Sequence, residues 1–203
     1  MPSRTYLPTK HRFFDGLASF LAGIASVGVA FEVQAKHSAR PYSSKDYLTL
    51  EGIKSVSGSE FRFHPKNLLE TLASNSWPQH LEVEELQLSI QAPAHSLWLT
   101  GLKGVHGSLI ASAFVKYFED HRATIESRHG KDPYKWPSCW NFGRMVRNAL
   151  SHGGVVTFLN ATAAHVSWRT LTYAPADNGR QLLYNDMTAV ELILLLEDMD
   201  AEF

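Results

Sequence analysis

Apolar residues recur at three- to four-residue intervals over four stretches of the chain, the spacing that places them on one face of a helix. The first covers residues 13–36. FFDGLASFLAGIASVGVAFEVQA is apolar almost throughout, and its small residues Ala18, Ala22, Gly23, Ala25 and Gly28 permit close helix packing. The second covers 105–128, where Leu109, Ala113, Val115 and Phe118 mix with a polar face at Lys116, Glu119, Asp120 and Arg122. The third runs over 138–152. The fourth is TAVELILLLEDM at 188–199, with Asp186 as a candidate N-cap and an acidic end.

Strand signals are fewer. Residues 155–159 and 165–173 are rich in Val, Thr, Trp and Tyr, and the Asn178-Gly179 pair of APADNGR marks a turn before the apolar run 181–184. This predicts a β-hairpin between two helices, within 155–185. Residues 38–100 are the least readable part. SARPYSSKDY and SVSGSEF are loop-like, KNLLETLA fits a short helix, and LEVEELQLSI alternates in a way that suits strand or helix. The expectation is one domain over 1–203, mainly α: a helical bundle with a β-hairpin insertion between its last two helices and an insertion of undefined structure at 38–100.

Composition narrows the class. A chain of 203 residues suits one domain with a real core, and 44% hydrophobic against 19% charged residues is a globular rather than a disordered balance. The net charge of −1 leaves no global positive excess, so contact with nucleic acid has to be local. The single cysteine, Cys139, excludes an internal disulfide and a cysteine-rich zinc site, and it fits a reducing compartment. The apolar stretch at 13–35 has the length of a membrane helix, but Asp15 and Glu32 interrupt it and small residues dilute it. It reads as the core helix of a soluble, cytoplasmic protein with no membrane partner.

The chemistry concentrates at the end of the third helix, in RMVRNALSHGG. By helical spacing Asn141, Arg144, Arg147, Asn148, Ser151 and His152 share one stripe, whereas Phe142, Met145, Val146, Ala149 and Leu150 form a core-facing side. Gly153-Gly154 supplies the left-handed turn that ends a helix, which puts His152 in the last turn. Arginine offers a planar, permanently charged fork for phosphate oxygens, and histidine moves a proton near neutral pH. Those groups suffice in kind for proton transfer at a phosphodiester, with no metal and no cofactor. The plain alternative is a helix end whose basic residues complement the helix dipole.

RNALSH resembles the motif of the HEPN superfamily: an arginine, a polar residue that is often Asn, a short spacer and a histidine on a late helix. WNFGRMVRNALSHGG, VSWRTLTYAPADNGR and YNDMTAVELILLLEDMD together resemble bacterial HEPN-like proteins with a hairpin before the final helix; the first hundred residues match only loosely. The resemblance implies a HEPN-like bundle and a metal-independent endoribonuclease. In such an enzyme the ribose 2′-hydroxyl attacks the neighbouring phosphate and leaves a 2′,3′-cyclic phosphate. It further implies His152 as acid/base group, Arg147 stabilising the transition state and Asn148 orienting one or the other, with Arg144 and Ser151 as supporting substrate contacts. The partners implied are RNA, a second copy of the chain and an antitoxin protein, in a toxin or defence setting. Non-cutting members imply the alternative of a module that binds nucleotide, RNA or a protein.

Three further features bear on this. Between His121 and His152 stand Arg122, Arg128, Lys131, Lys135, Arg144 and Arg147 against Glu126 and Asp132, interleaved with Tyr134, Trp136 and Trp140. That composition suits phosphate contacts and base stacking, although core tryptophans explain it as well. Ten histidines show no metal-ligand spacing, and His106, His121 and His129 read as helix-surface or loop residues. Cys139 reads as a small buried residue.

Overall fold

The computed structural model describes residues 3–36, 40–88 and 100–203. Strand β1 (Ser3–Tyr6) is followed by helix α1 (Phe14–Lys36), strands β2 (Leu48–Glu51) and β3 (Ser59–Phe63), helix α2 (Pro65–Ala73) and strand β4 (Leu81–Gln87). Helix α3 (Thr100–His129) and helix α4 (Ser138–Ser151) come next. Strands β5 (Val166–Trp168) and β6 (Leu171–Tyr173) and helix α5 (Ala189–Asp200) complete the order.

The expectation of a mainly α bundle is overturned. The segment expected to be an insertion of undefined structure contributes three strands of a four-stranded antiparallel sheet, ordered β1-β4-β3-β2. One of its two edge strands, β1, comes from the first residues of the chain and pairs Arg4 with Val83 and Tyr6 with Leu81. The fold is therefore mixed, with helices packed on a sheet. Phe61, Phe63, Leu81 and Val83 are buried in it. KNLLETLA is helical within α2, and LEVEELQ is strand β4; the end of the LEVEELQLSI segment lies outside the described residues.

Helix α5 joins the two parts. Its LILLL run is buried all round, as a helix apolar on every side must be, because it packs on α3 and α4 and also on β2 and β3. Its N-cap is Thr188 rather than Asp186: Thr188 N donates to Glu191 Oε2 at 2.8 Å and Val190 N to Thr188 Oγ1 at 3.2 Å. Asp186 instead accepts from Tyr173 Oη at 2.7 Å and from Arg180 Nη2 at 2.6 Å. Helix α1 is long and apolar enough to cross a membrane by length and composition, over Phe14–Val33 with mean hydropathy 1.7. In the fold Phe14, Leu17, Leu21 and Ile24 make it a core helix against α3, an arrangement that fits a soluble protein. Gly23 allows the approach, since a Cβ there would stand 3.0 Å from Leu109 Cδ1.

The hairpin exists but is smaller than predicted. Both its strands lie inside the single strand expected at 165–173, turning at Arg169 (φ 51°) and Thr170. Residues 155–159 form no strand; Val155 makes one isolated bridge to Gln181.

Candidate functional site

Helix α4 has the two-sided character read from its sequence. Trp140, Phe142, Met145, Val146 and Ala149 are buried, Arg144, Arg147 and Asn148 are half-buried, and Ser151 and His152 are exposed. Asn141 departs from the stripe: it is buried, and its Oδ1 accepts from Arg144 Nε and Nη2 at 3.3 and 3.2 Å. The helix is held from within. Trp140 Nε1 donates to Met199 O of α5 at 2.9 Å, and Phe142 stacks on Tyr173 of the hairpin with ring centroids 5.7 Å apart.

The helix stop is well fixed. Gly153 and Gly154 take φ of +80° and +79°, a region that costs little only for glycine. Gly154 N closes back on Ala149 O at 2.7 Å, and Leu182 N donates to Gly154 O at 2.8 Å. His152 is the C-cap residue of α4, and among the described residues no side-chain hydrogen bond or ion pair engages its ring. A histidine held by its backbone with a free ring is available to a ligand.

Arg147 and Asn148 are already engaged. The Arg147 guanidinium pairs through Nη2 with Glu119 of α3 and donates through Nη1 to Asn148 Oδ1 at 3.1 Å. Its Nε is enclosed and has no partner. Sequence reasoning placed Glu119 on the polar face of its helix but did not pair it with Arg147, because a contact between two helices leaves no periodic signal in either.

Arg144, Arg147 and Asn148 line one cleft of about 170 Å³ between α3, α4 and the connection joining them. Phe118, Pro133 and Trp136 supply its apolar surface, and Arg122, Glu126 and Lys131 its other charged groups. Arg122 Nε lies 3.2 Å from Glu126 Oε1. Ser151 belongs elsewhere, to a shallower groove of about 520 Å³ with Lys103, Gly107, Gly154, Gln181 and Tyr184. His152 lines neither. Of the five predicted site residues, three share a cleft, Ser151 lines a separate groove, and His152 stands exposed at the helix end outside both.

The flanking aromatics divide. Trp140 and Trp136 are buried, the latter donating from Nε1 to Gly130 O at 2.8 Å, whereas Tyr134 is 45% exposed. Cys139 is buried, and burial pushes its thiol up to about 12, so it is no nucleophile at neutral pH. Two of the histidines read as surface residues are part of the packing. His106 is half-buried with an unpartnered Nε2, and His121 packs edge-on to Tyr117 at 4.7 Å. Burial lowers the pKa of both. Among the described residues no group of three His, Cys, Asp or Glu side chains is placed to hold a metal ion.

Comparison with protein-family models, with curated proteins and with solved structures returns no match, so the site stands on its own geometry and on the resemblance carried by RNALSH.

Proposed function

We propose that this chain is a cytoplasmic endoribonuclease of HEPN type that needs no metal, with the exposed stripe of α4 as its reaction site. The observation that carries the reading is an unengaged, exposed His152 at the C-cap of α4, four residues beyond Asn148, which itself lines an arginine-rich cleft. In the reaction His152 accepts the proton of a ribose 2′-hydroxyl as O2′ attacks the adjacent phosphorus. The P–O5′ bond then breaks, leaving a 2′,3′-cyclic phosphate and a 5′-hydroxyl whose proton comes from water or from the second copy of the chain that the resemblance implies. Arg147 stabilises the charge gathered on the phosphoryl oxygens, and Asn148 holds its guanidinium in place.

One observation favours the alternative of a binding module without cleavage. Arg147 already has a carboxylate partner in Glu119, so a phosphate has to share or displace it. Labelled single-stranded RNA incubated with the protein in chelator separates the two. Cleavage to cyclic-phosphate ends by the parent, with a His152→Ala variant slower by about a hundredfold or more and the matching DNA uncut, is the expected result. Binding without any cleavage would leave only the module.

A further inference from the structure

We propose that the cleft between α3 and α4 seats a second, non-reacting nucleotide of a single-stranded RNA, its phosphate held by Lys131 and Arg144 and its base stacked on Tyr134. This deepens the ribonuclease reading and rests on it for the identity of the strand.

Charge comes first. Among the cations lining the cleft, Arg122 has Glu126 and Arg147 has Glu119 as carboxylate partners. Among the described residues Lys131 and Arg144 have none: Arg144 donates to the neutral Asn141 side chain, and Lys131 is exposed at the rim. Two cations without counter-charge over an apolar floor attract an anion rather than an apolar ligand.

Size selects which anion. At about 170 Å³ the cleft is smaller than the ~300 Å³ at which small-molecule pockets begin, so it admits a phosphate but not a whole nucleotide. The sugar and base must lie outside, where the exposed ring is Tyr134. The Arg144 guanidinium already sits 5.9 Å from the centre of that ring, so one side chain faces both the phosphate seat and the stacking platform.

Placement argues for a strand. Arg144 lies within α4 and lines the cleft, whereas His152 caps the end of that helix and lines no part of it. On the ribonuclease reading, the phosphate at Arg144 and the one facing His152 therefore belong to different nucleotides of one chain.

The seat is also built in advance. Gly130 ends α3 with φ +86°, turning the backbone so that Lys131 reaches the cleft, and its carbonyl is fixed by Trp136. Asp132 then caps the short turn carrying Tyr134, accepting from Tyr134 N at 3.1 Å. A rigid loop lowers the ordering cost of binding.

The test uses a fluorescent 2′-deoxy decanucleotide, which binds but lacks the attacking hydroxyl, titrated by anisotropy against the full chain. Lys131→Ala and Tyr134→Ala are each expected to weaken binding about tenfold. Lys131→Ala also flattens the log Kd against log salt slope by about one, whereas Tyr134→Ala leaves the slope unchanged. Lys116→Ala, which removes an exposed charge of α3 outside the cleft, serves as the control for bulk charge. All three substitutions fall on exposed side chains, and circular dichroism checks that each variant folds. Weakening by both cleft variants but not by the control supports the seat, even if the parent cuts no RNA, in which case it is the catalytic reading that fails. Parent-like binding by both cleft variants, or an equal loss in the control, overturns the proposal.

Discussion

At the scale of the residue, the question is what a phosphate meets when it reaches Arg147. Of the guanidinium nitrogens, Nη2 carries Glu119, Nη1 serves Asn148 and Nε is enclosed. A substrate oxygen therefore competes with a carboxylate for the same fork. Glu119→Gln keeps the shape of that contact and removes its charge, so the affinity for the 2′-deoxy strand should rise several-fold in anisotropy titrations; an unchanged affinity would show that Glu119 only positions the arginine. Arg147→Lys tests the fork itself. It retains a positive charge but not the planar pair of donors, and RNA cleavage should fall by about a hundredfold in single-turnover assays. A variant that cuts like the parent would remove Arg147 from the mechanism. The stripe was legible in the sequence because helical periodicity sorts a helix by itself. Glu119 was not, because its role depends on how a second helix docks.

At the scale of the element, the β2–β3 segment clasps helix α5. The loop between β2 and β3 brings Ile53 N to Glu191 Oε1 at 2.6 Å and adds the Ser57 hydroxyl, while Thr188 donates to the other oxygen. Glu191 is fully buried, so these donors are what makes a carboxylate tolerable there. Gly52 allows the approach: a Cβ at that position would lie 2.6 Å from Ser59 O and 2.7 Å from Glu191 Oε1. Gly52→Ala should lower the unfolding free energy by about 1–3 kcal/mol in urea titrations, the usual cost of overpacking. A neutral result would mean that the loop is free to move off α5. Of this sheet only β4 left a trace in the sequence, as an alternation in LEVEELQ that suits strand or helix alike, and the other strands left none for physical reasons. β1 and β2 are four residues each, too short for alternation to register, and SEFRF in β3 places buried residues on both faces. The hairpin misled differently, since HVSWRTLTY turns at Arg169-Thr170 without Gly, Pro, Asn or Asp to mark it.

At the scale of the whole molecule, a net charge of −1 hides a pattern in which many carboxylates are tied to cations, so stability should track proton uptake more than net repulsion. Two windows follow from the groups whose pKa values fold-formation moves. His106 and His121 are both lowered from the ordinary imidazole value of 6.5. Burial is the cause for His106 and the largest cause for His121, where Arg12 and Lys116 add to it against Asp120 and Asp200. The folded chain thus resists a proton that the unfolded chain accepts. The stability this carries is complete above pH 6.5 and is lost as pH falls from there through the folded values. Glu85 opens the second window. Burial pushes it up, but hydrogen bonds from Ser59 and Arg4 and the charge of Arg4 outweigh that and leave it below 4.5. Its contribution is present above pH 4.5 and is lost as pH falls through its folded value. Thermal unfolding followed from about pH 8 to about pH 3 should therefore show Tm falling in two stages, the first beginning near the imidazole range and the second near the carboxylate range. His121→Gln, which retains a polar ring-sized group without a titrating proton, should shrink the first stage and leave the second. A Tm that stays flat until about pH 5 would show that the two histidines are hydrated in the folded chain, and that the packing of His121 against Tyr117 does not exclude water.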